Sequence, residues 1–242
     1  MYCKNEEETI NRRKMEKNGM TDSSLYEEIF QFKNRRSNHR FIAVLLGILT
    51  FFMGARVWWE QTYGGIVVDG GSMKQTFQNG DNVLMKYVDE TDELKRGDII
   101  IVDVREYPEC GTTDFLIKRL IAVEGDKVKC VKGNVYICYA GSNAYEKEPL
   151  TEDYAYYKDG KATYSFDEYV VGEGEIFFLG DNRQNSMDSR FRELGGSHLG
   201  NKLYKRSDVY GVVPEWAIEN MDLIEVLLFR NVSKFKTLID KK

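Results

Sequence analysis

The sharpest break in the hydrophobic pattern falls early in the chain. Residues 41–55 (FIAVLLGILTFFMGA) run fifteen positions without a charge. With Arg56 snorkelling and Val57, Trp58 and Trp59 added, the apolar span covers residues 41–59. That is within the roughly 17–25 residues a membrane-crossing helix needs. The span has no polar face, which argues against a buried core helix. Trp58 and Trp59 suit the aromatic belt of a membrane interface. Lys33, Arg35, Arg36 and Arg40 stand just before the span, and Glu60 and Asp69 follow it. The basic flank predicts a cytoplasmic N-terminus, one crossing of the cell membrane and the bulk of the chain outside. A cleaved signal peptide fits less well: the charged leader is long, and no small-x-small site follows the apolar run.

After Gln61 the pattern changes to short β-type runs. Residues 66–68, 82–85, 98–104, 115–123, 175–179 and 208–213 read as strands, with turn residues between them. Residues 128–139 read as a hairpin with Gly133-Asn134 at the turn. Residues 141–167 are polar and tyrosine-rich, and read as an insertion or long hairpin on the rim. Before the span, a short helix is expected over residues 20–32, opening at Thr21 or Asp22. Residues 223–238 are apolar at helical spacing and suggest a terminal helix. The expected organisation is a cytoplasmic segment over 1–40, a membrane helix over 41–59, an extracytoplasmic β-domain over 60–218 and a tail over 219–242. No internal repeat is visible.

Composition agrees with a β-rich domain. Of the 242 residues 13% are aromatic, with 15 Tyr and 13 Phe, and only 3 are Pro. A net charge of −5 gives no footprint for nucleic acid. None of the four cysteines, Cys3, Cys110, Cys130 and Cys138, forms a CxxC pair, so zinc and thioredoxin-like readings are weak. With a three-residue hairpin loop, Cys130 and Cys138 face each other. A disulfide outside the cytosol and two free thiols are both open readings.

Candidate chemistry comes from three segments. Residues 180–190 (GDNRQNSMDSR) follow an apolar strand, and nine of the eleven are polar or charged. Polar groups hung on a core strand need internal partners, and two Asp and two Arg supply them. The sequence Val68-Asp69-Gly70-Gly71-Ser72-Met73 places a serine just past a strand and two glycines, where backbone N–H groups can approach a reacting centre. The strand at 115–123 is interrupted by Lys118 and Arg119, and strand neighbours point to opposite faces. A lysine on the buried face loses its proton more easily and as a neutral amine can act as a general base. Only two histidines exist, His39 beside the span and His198 in a Gly/Ser-rich loop. A Ser-His-Asp arrangement therefore has little support, and a Ser-Lys pair is the alternative route.

Four segments, in order, resemble the conserved boxes of the bacterial type I signal peptidases (leader peptidases), in their Gram-positive form. Gly71-Ser72-Met73-Lys74-Gln75-Thr76-Phe77 resembles the nucleophile box, and residues 96–102 the structural strand box. Residues 118–126 resemble the lysine box. Residues 180–190 match the GDNRxxSxDSR box at every fixed position. The resemblance implies a mainly β, antiparallel β-sheet or barrel catalytic domain with one N-terminal transmembrane helix. It implies acyl transfer with Ser72 as nucleophile, Lys118 as general base and the Ser72 backbone N–H as oxyanion donor. Ser186 would orient the lysine, Asp188 and Arg190 would brace the loop, and Asp181 and Arg183 would support it. No metal or cofactor is implied. The implied partners are secretory preproteins with small residues before the cut, the lipid bilayer and a nearby export translocon.

Three departures from the family pattern stand out. Gln75 stands where the family usually has Pro. Ala122 and Glu124 stand where it usually has Gly and Pro. Gly70 stands where some members have an oxyanion-donating serine. The departures at Gln75, Ala122 and Glu124 keep open a signal peptidase dedicated to one surface or pilus system. A non-catalytic scaffold of the same fold would be expected to lack Ser72 or Lys118. A self-cleaving repressor of the related fold would need a DNA-binding domain that residues 1–40 are too short to supply.

Overall fold

The computed structural model describes residues 22–105, 114–160, 164–190 and 204–224. The chain divides after Trp59 into two units. Helix α1, Asp22–Thr62, is one continuous helix of 41 residues, where the sequence suggests a short helix followed by a separate span. Its portion Asn38–Thr62 reaches a mean hydropathy of 2.0 and is long and apolar enough to cross a membrane. Phe41, Leu45, Phe51, Phe52 and Trp58 are all exposed. In water each such side chain would forgo about 1.5–3 kcal/mol of burial, so this surface calls for an apolar surrounding. Glycines at 47 and 54 do not break the helix.

The second unit is built from antiparallel strands. They are β1 Tyr63–Val67, β2 Asn82–Tyr87, β3 Ile99–Asp103, β4 Phe115–Val123, β5 Lys127–Val131, β6 Asn134–Cys138, β7 Phe166–Val170, β8 Ile176–Leu179 and β9 Val209–Val213. Two short helices follow, α2 Glu215–Glu219 and α3 Met221–Ile224. Six strands pair in the order β1-β2-β9-β3-β4-β8, and three in the order β6-β5-β7.

Strand β8 shows why an unbroken apolar run was needed at this position. Alternation sends Ile176 and Phe178 to one face and Phe177 and Leu179 to the other. Ile176 and Phe178 pack with Ile100, Val102, Leu120, Tyr204 and Val209. Phe177 and Leu179 pack with Ile121, Val128, Val135, Ile137 and Tyr169, which joins the two sheets. Both faces of β8 are therefore buried, and the segment after it emerges from the middle of the core.

Two sequence expectations change here. The hairpin turns at Lys132 and Gly133, with φ of 48° and 81°. This is the two-residue turn with positive φ at both central positions that suits strand twist. The register is shifted from the one expected: Cys130 pairs with Val135, and Cys138 with Lys127. The two thiols are free and buried. Cys130 donates to Tyr164 O and Cys138 to Ser142 O. Burial pushes the Cys130 thiol up, away from the reactive thiolate. The stretch at 141–167 also differs from a simple rim insertion. Its end forms β7, which pairs with β5, and residues 150–157 reach the polar loop after β8. The tail expected over 219–242 starts at the last residue of α2 and continues into α3, and most of the helix expected at 223–238 lies outside the described residues.

The free thiols give a direct test. Protein purified without reductant and unfolded in an alkylating reagent should take up label at both Cys130 and Cys138. Its melting temperature should be the same with and without reductant.

Candidate active site

Ser72 sits in a tight turn five residues past the end of β1. The turn is pinned from below by Met73 and Phe77, which are 0% and 1% exposed. Lys74 N–H donates to Gly71 O, and Thr76 and Phe77 N–H both donate to Met73 O. Gly70 N–H is taken by Asn79 Oδ1 at 2.7 Å. Gln75 lies at φ 90°, in the left-handed region that costs a side-chain-bearing residue about 1–2 kcal/mol. Proline cannot adopt this angle. The turn after Ser72 therefore follows a path closed to the residue usual at this position, and it is hydrogen-bonded rather than loosened.

Lys118 lies on β4, paired with Ile100 of β3. It is 3% exposed. Its Nζ donates to Ser72 Oγ at 2.9 Å and to Ile117 O at 2.9 Å. Arg119, the next residue, is also buried, at 9% exposed. One of the two charges faces Ser72. The other is held by Asp181 through two parallel bonds, Nε to Oδ1 and Nη2 to Oδ2, each 2.8 Å. Arg119 Nη1 also donates to Gly97 O. A fork-on-fork pair of this kind is the strong form of an ion pair.

The 180–190 loop ties these pieces together. Thr76 Oγ1 donates to Asp181 Oδ2 at 2.5 Å. Asn182 grips the serine turn twice, from its backbone N–H to Ser72 O at 2.8 Å and from Nδ2 to Gly71 O at 2.8 Å. Arg190 pairs with Asp188 through Nε and Nη2, at 2.6 and 2.8 Å. Asp188 Oδ2 also accepts the Gly180 N–H. Arg183 pairs with Glu152 and donates from Nε to Gly180 O. Burial works against the Arg183 guanidinium, but the bonds from Glu152 outweigh it and hold the pKa well above the ordinary value. Burial raises the Tyr154 and Tyr164 phenols, so both stay neutral beside these charges. Gly180 has no room for a side chain: a Cβ there would overlap Ser186 Oγ and stand 2.7 Å from Ser72 O.

Ser72, Lys118 and Ser186 line one open groove of about 870 Å³, walled by Ile66, Val67, Ile101, Phe115, Leu116 and Ile117. Ser186 Oγ is buried and has no hydrogen-bond partner among the described residues. The expected bond from Ser186 to the lysine is not made in this structure; Ser72 and the Ile117 carbonyl take the Lys118 amine instead. Four groups that sequence reasoning left without a role are part of this arrangement: Thr76, Arg119, Asn182 and Glu152. Arg119 carried a signal, since a second charge in an apolar strand demands a buried partner. Glu152 carried none.

A serine hydroxyl against a buried amine, in an apolar groove, is the equipment of a serine peptidase, and α1 supplies a membrane anchor. Comparison with known proteins makes the class specific. The chain belongs to the signal peptidase family, peptidase S26, whose family model matches residues 38–218. Signal peptidase I P of Bacillus subtilis subsp. natto is 31% identical over 173 residues, covering 70% of this chain and 83% of that protein. Signal peptidase I of Bacillus licheniformis is 36% identical over 132 residues, covering 51% and 64%. The crystal structure of a signal peptidase I from Enterococcus faecalis shares 27% identity, covers 51% of this chain and 98% of its own, and superposes at a TM-score of 0.36. Family membership makes the activity that of a membrane-anchored signal peptidase, a serine hydrolase acting on exported preproteins.

The conformation at Gln75 is open to measurement. Gln75→Gly should raise stability by about 1 kcal/mol, since glycine enters the left-handed region without the Cβ penalty. Gln75→Pro should lower it. Thermal denaturation of the two variants checks both.

Proposed function

We propose that Ser72 is the nucleophile and Lys118 the general base of this signal peptidase. The observation that carries the reading is the 2.9 Å approach of Lys118 Nζ to Ser72 Oγ inside the groove. Burial disfavours an ammonium, and a neutral amine at this distance can take the hydroxyl proton. Ser72 Oγ then attacks the scissile carbonyl carbon, and the Ser72 N–H donates to the developing oxyanion. The Gly70 N–H is already engaged by Asn79, so the reading takes the Ser72 N–H as the donor. Lys118 returns the proton to the leaving amine as the C–N bond breaks, and water releases the acyl-enzyme.

Ser186 is proposed to orient the lysine. Its buried hydroxyl lines the groove with Lys118 and has both donor and acceptor capacity unspent. Leaving such a group unpaired costs about 1–3 kcal/mol, so a partner in the reacting complex is favoured. Asp181, Arg183, Asp188 and Arg190 act as supports, a role their buried pairings favour.

The substrate is proposed to be an exported preprotein in extended form with small residues before the cut. Strand β1 pairs with β2 alone among the described strands, and its residues Ile66 and Val67 line the groove. An extended peptide can add beside such an edge. The catalytic domain is taken as 60–218: the second compact unit begins at Glu60, and the family match, which starts at 38, ends at 218. The basic residues Lys33, Arg35, Arg36 and Arg40 favour a cytoplasmic N-terminus in the cell membrane. The domain then works on the outer face, near the export translocon.

Ser72→Ala and Lys118→Ala should each abolish cleavage of a model preprotein while leaving the melting temperature near wild type. Ser186→Ala should slow cleavage by about 10²-fold, the scale of lost acid–base assistance. Full activity in a folded Lys118→Ala protein would remove the mechanism. Orientation has its own test: a cysteine engineered at Tyr145 should react with an impermeant reagent on intact cells. No labelling there would reverse the topology.

A further inference from the structure

The tyrosine-rich stretch between β6 and β7 meets the polar loop with a defined set of groups. The Glu152 side chain is 7% exposed and gives both carboxylate oxygens to Arg183, whose side chain is fully buried. Nη1 donates to Oε2 at 2.8 Å and Nη2 to Oε1 at 2.6 Å. Arg183 passes the constraint on, from Nε to Gly180 O at 3.0 Å. Close by, the main chain of Tyr156 clamps the same loop: its N–H donates to Asp181 O at 2.7 Å, and its carbonyl accepts from Arg183 N–H at 3.1 Å. The Tyr154 ring lies 3.9 Å from the Arg119 guanidinium and 5.9 Å from that of Arg183. Tyr156 OH accepts from Lys74, two residues past Ser72. From the loop itself, Asn182 N–H holds Ser72 O. Glu152 lies outside all four family-like segments, yet hydrogen bonds through Arg183 and the main chain of residues 180–182 lead from it to the serine.

We infer that Glu152 is a positioning residue for the peptidase reaction, acting through Arg183 and the 180–190 loop to fix Ser72 against Lys118. The inference rests on Ser72 and Lys118 being the reacting pair. A buried guanidinium stripped of its carboxylate is an uncompensated charge. It draws water in or swings outward, and either movement releases the Gly180 carbonyl. Gly180 is the residue packed against both Ser186 Oγ and Ser72 O, so slack there is slack at the site. Glu152 also accepts from Tyr154 OH at 3.3 Å, but it is not among the residues that line the groove. Loss of alignment without loss of binding lowers kcat and spares KM.

The test uses the full-length chain in detergent with a synthetic preprotein carrying Ala at the first and third positions before the cut. Glu152→Gln keeps the shape and removes the charge. Glu152→Asp keeps the charge and withdraws it by one methylene. Expected kcat losses are about tenfold and about threefold, with KM within about twofold for both. In an Arg183→Met background, adding Glu152→Gln should cost nothing more, because the residue acts through the arginine. Wild-type kcat in both variants, a loss carried by KM alone, or a full additional loss beside Arg183→Met overturns the inference. Should Glu152→Gln not fold, Glu152→Asp and its double variant decide on the same criteria. Ser72→Ala is run in parallel. Cleavage surviving there removes the reacting pair and this inference with it. Cleavage lost there, with the Glu152 variants at wild-type kcat, removes the inference alone.

Discussion

The ion pair between Arg119 and Asp181 joins two parts of the chain that would otherwise be independent. Arg119 stands beside Lys118 on β4. Asp181 stands at the start of the polar loop and also accepts from Thr76, four residues past Ser72. The strand bearing the lysine, the turn bearing the serine and the loop bearing Ser186 thus converge on one carboxylate. Asp181 is fully buried, so water cannot substitute for a missing partner. Removing one member of such a pair typically costs about 3–5 kcal/mol, a large share of the stability of an ordinary domain. The geometry of the groove is in this way tied to whether the domain folds at all.

The same logic explains why β4 carries two adjacent charges. Strand alternation sends them to opposite faces, and in this fold both faces are covered. The lysine spends its hydrogen bonds on Ser72 and a backbone carbonyl. The arginine donates to a carboxylate and a carbonyl and lies over the face of Tyr154. The lysine amine faces a serine hydroxyl at 2.9 Å, and the arginine is locked in a two-bonded pair with a carboxylate. That asymmetry suits the first to exchanging a proton and the second to holding still.

Much of this was legible in the sequence, and the parts that were not have physical reasons. Strands β4 and β8 show as apolar runs because both of their faces are buried, and the membrane-length span shows because nothing interrupts it. The meeting of Ser72 with Lys118 was legible only through family-like spacing, since neither residue is distinctive alone. Strand β7 was hidden because Asp167 and Glu168 break its apolar pattern where it lies exposed. The Cys130–Cys138 register was misread by assuming a three-residue loop, when Lys132 accepts the positive φ that a two-residue turn needs. Glu152 was illegible because its importance comes from a partner 31 residues away. That Ser186 Oγ is left without a partner was not legible either, since it depends on atomic placement rather than on residue type.

The unspent hydroxyl of Ser186 has a consequence for ligand design. A groove that is mostly apolar usually offers an inhibitor little beyond shape, and shape alone discriminates poorly. Here a buried hydroxyl stands in the lining of the groove with its desolvation already incurred by folding. A compound whose polar atom reached it, through a small yielding of the 180–190 loop, would form that bond without stripping water from the protein side. Its selectivity would come from an anchor point in the wall of the cleft, distinct from any warhead aimed at Ser72.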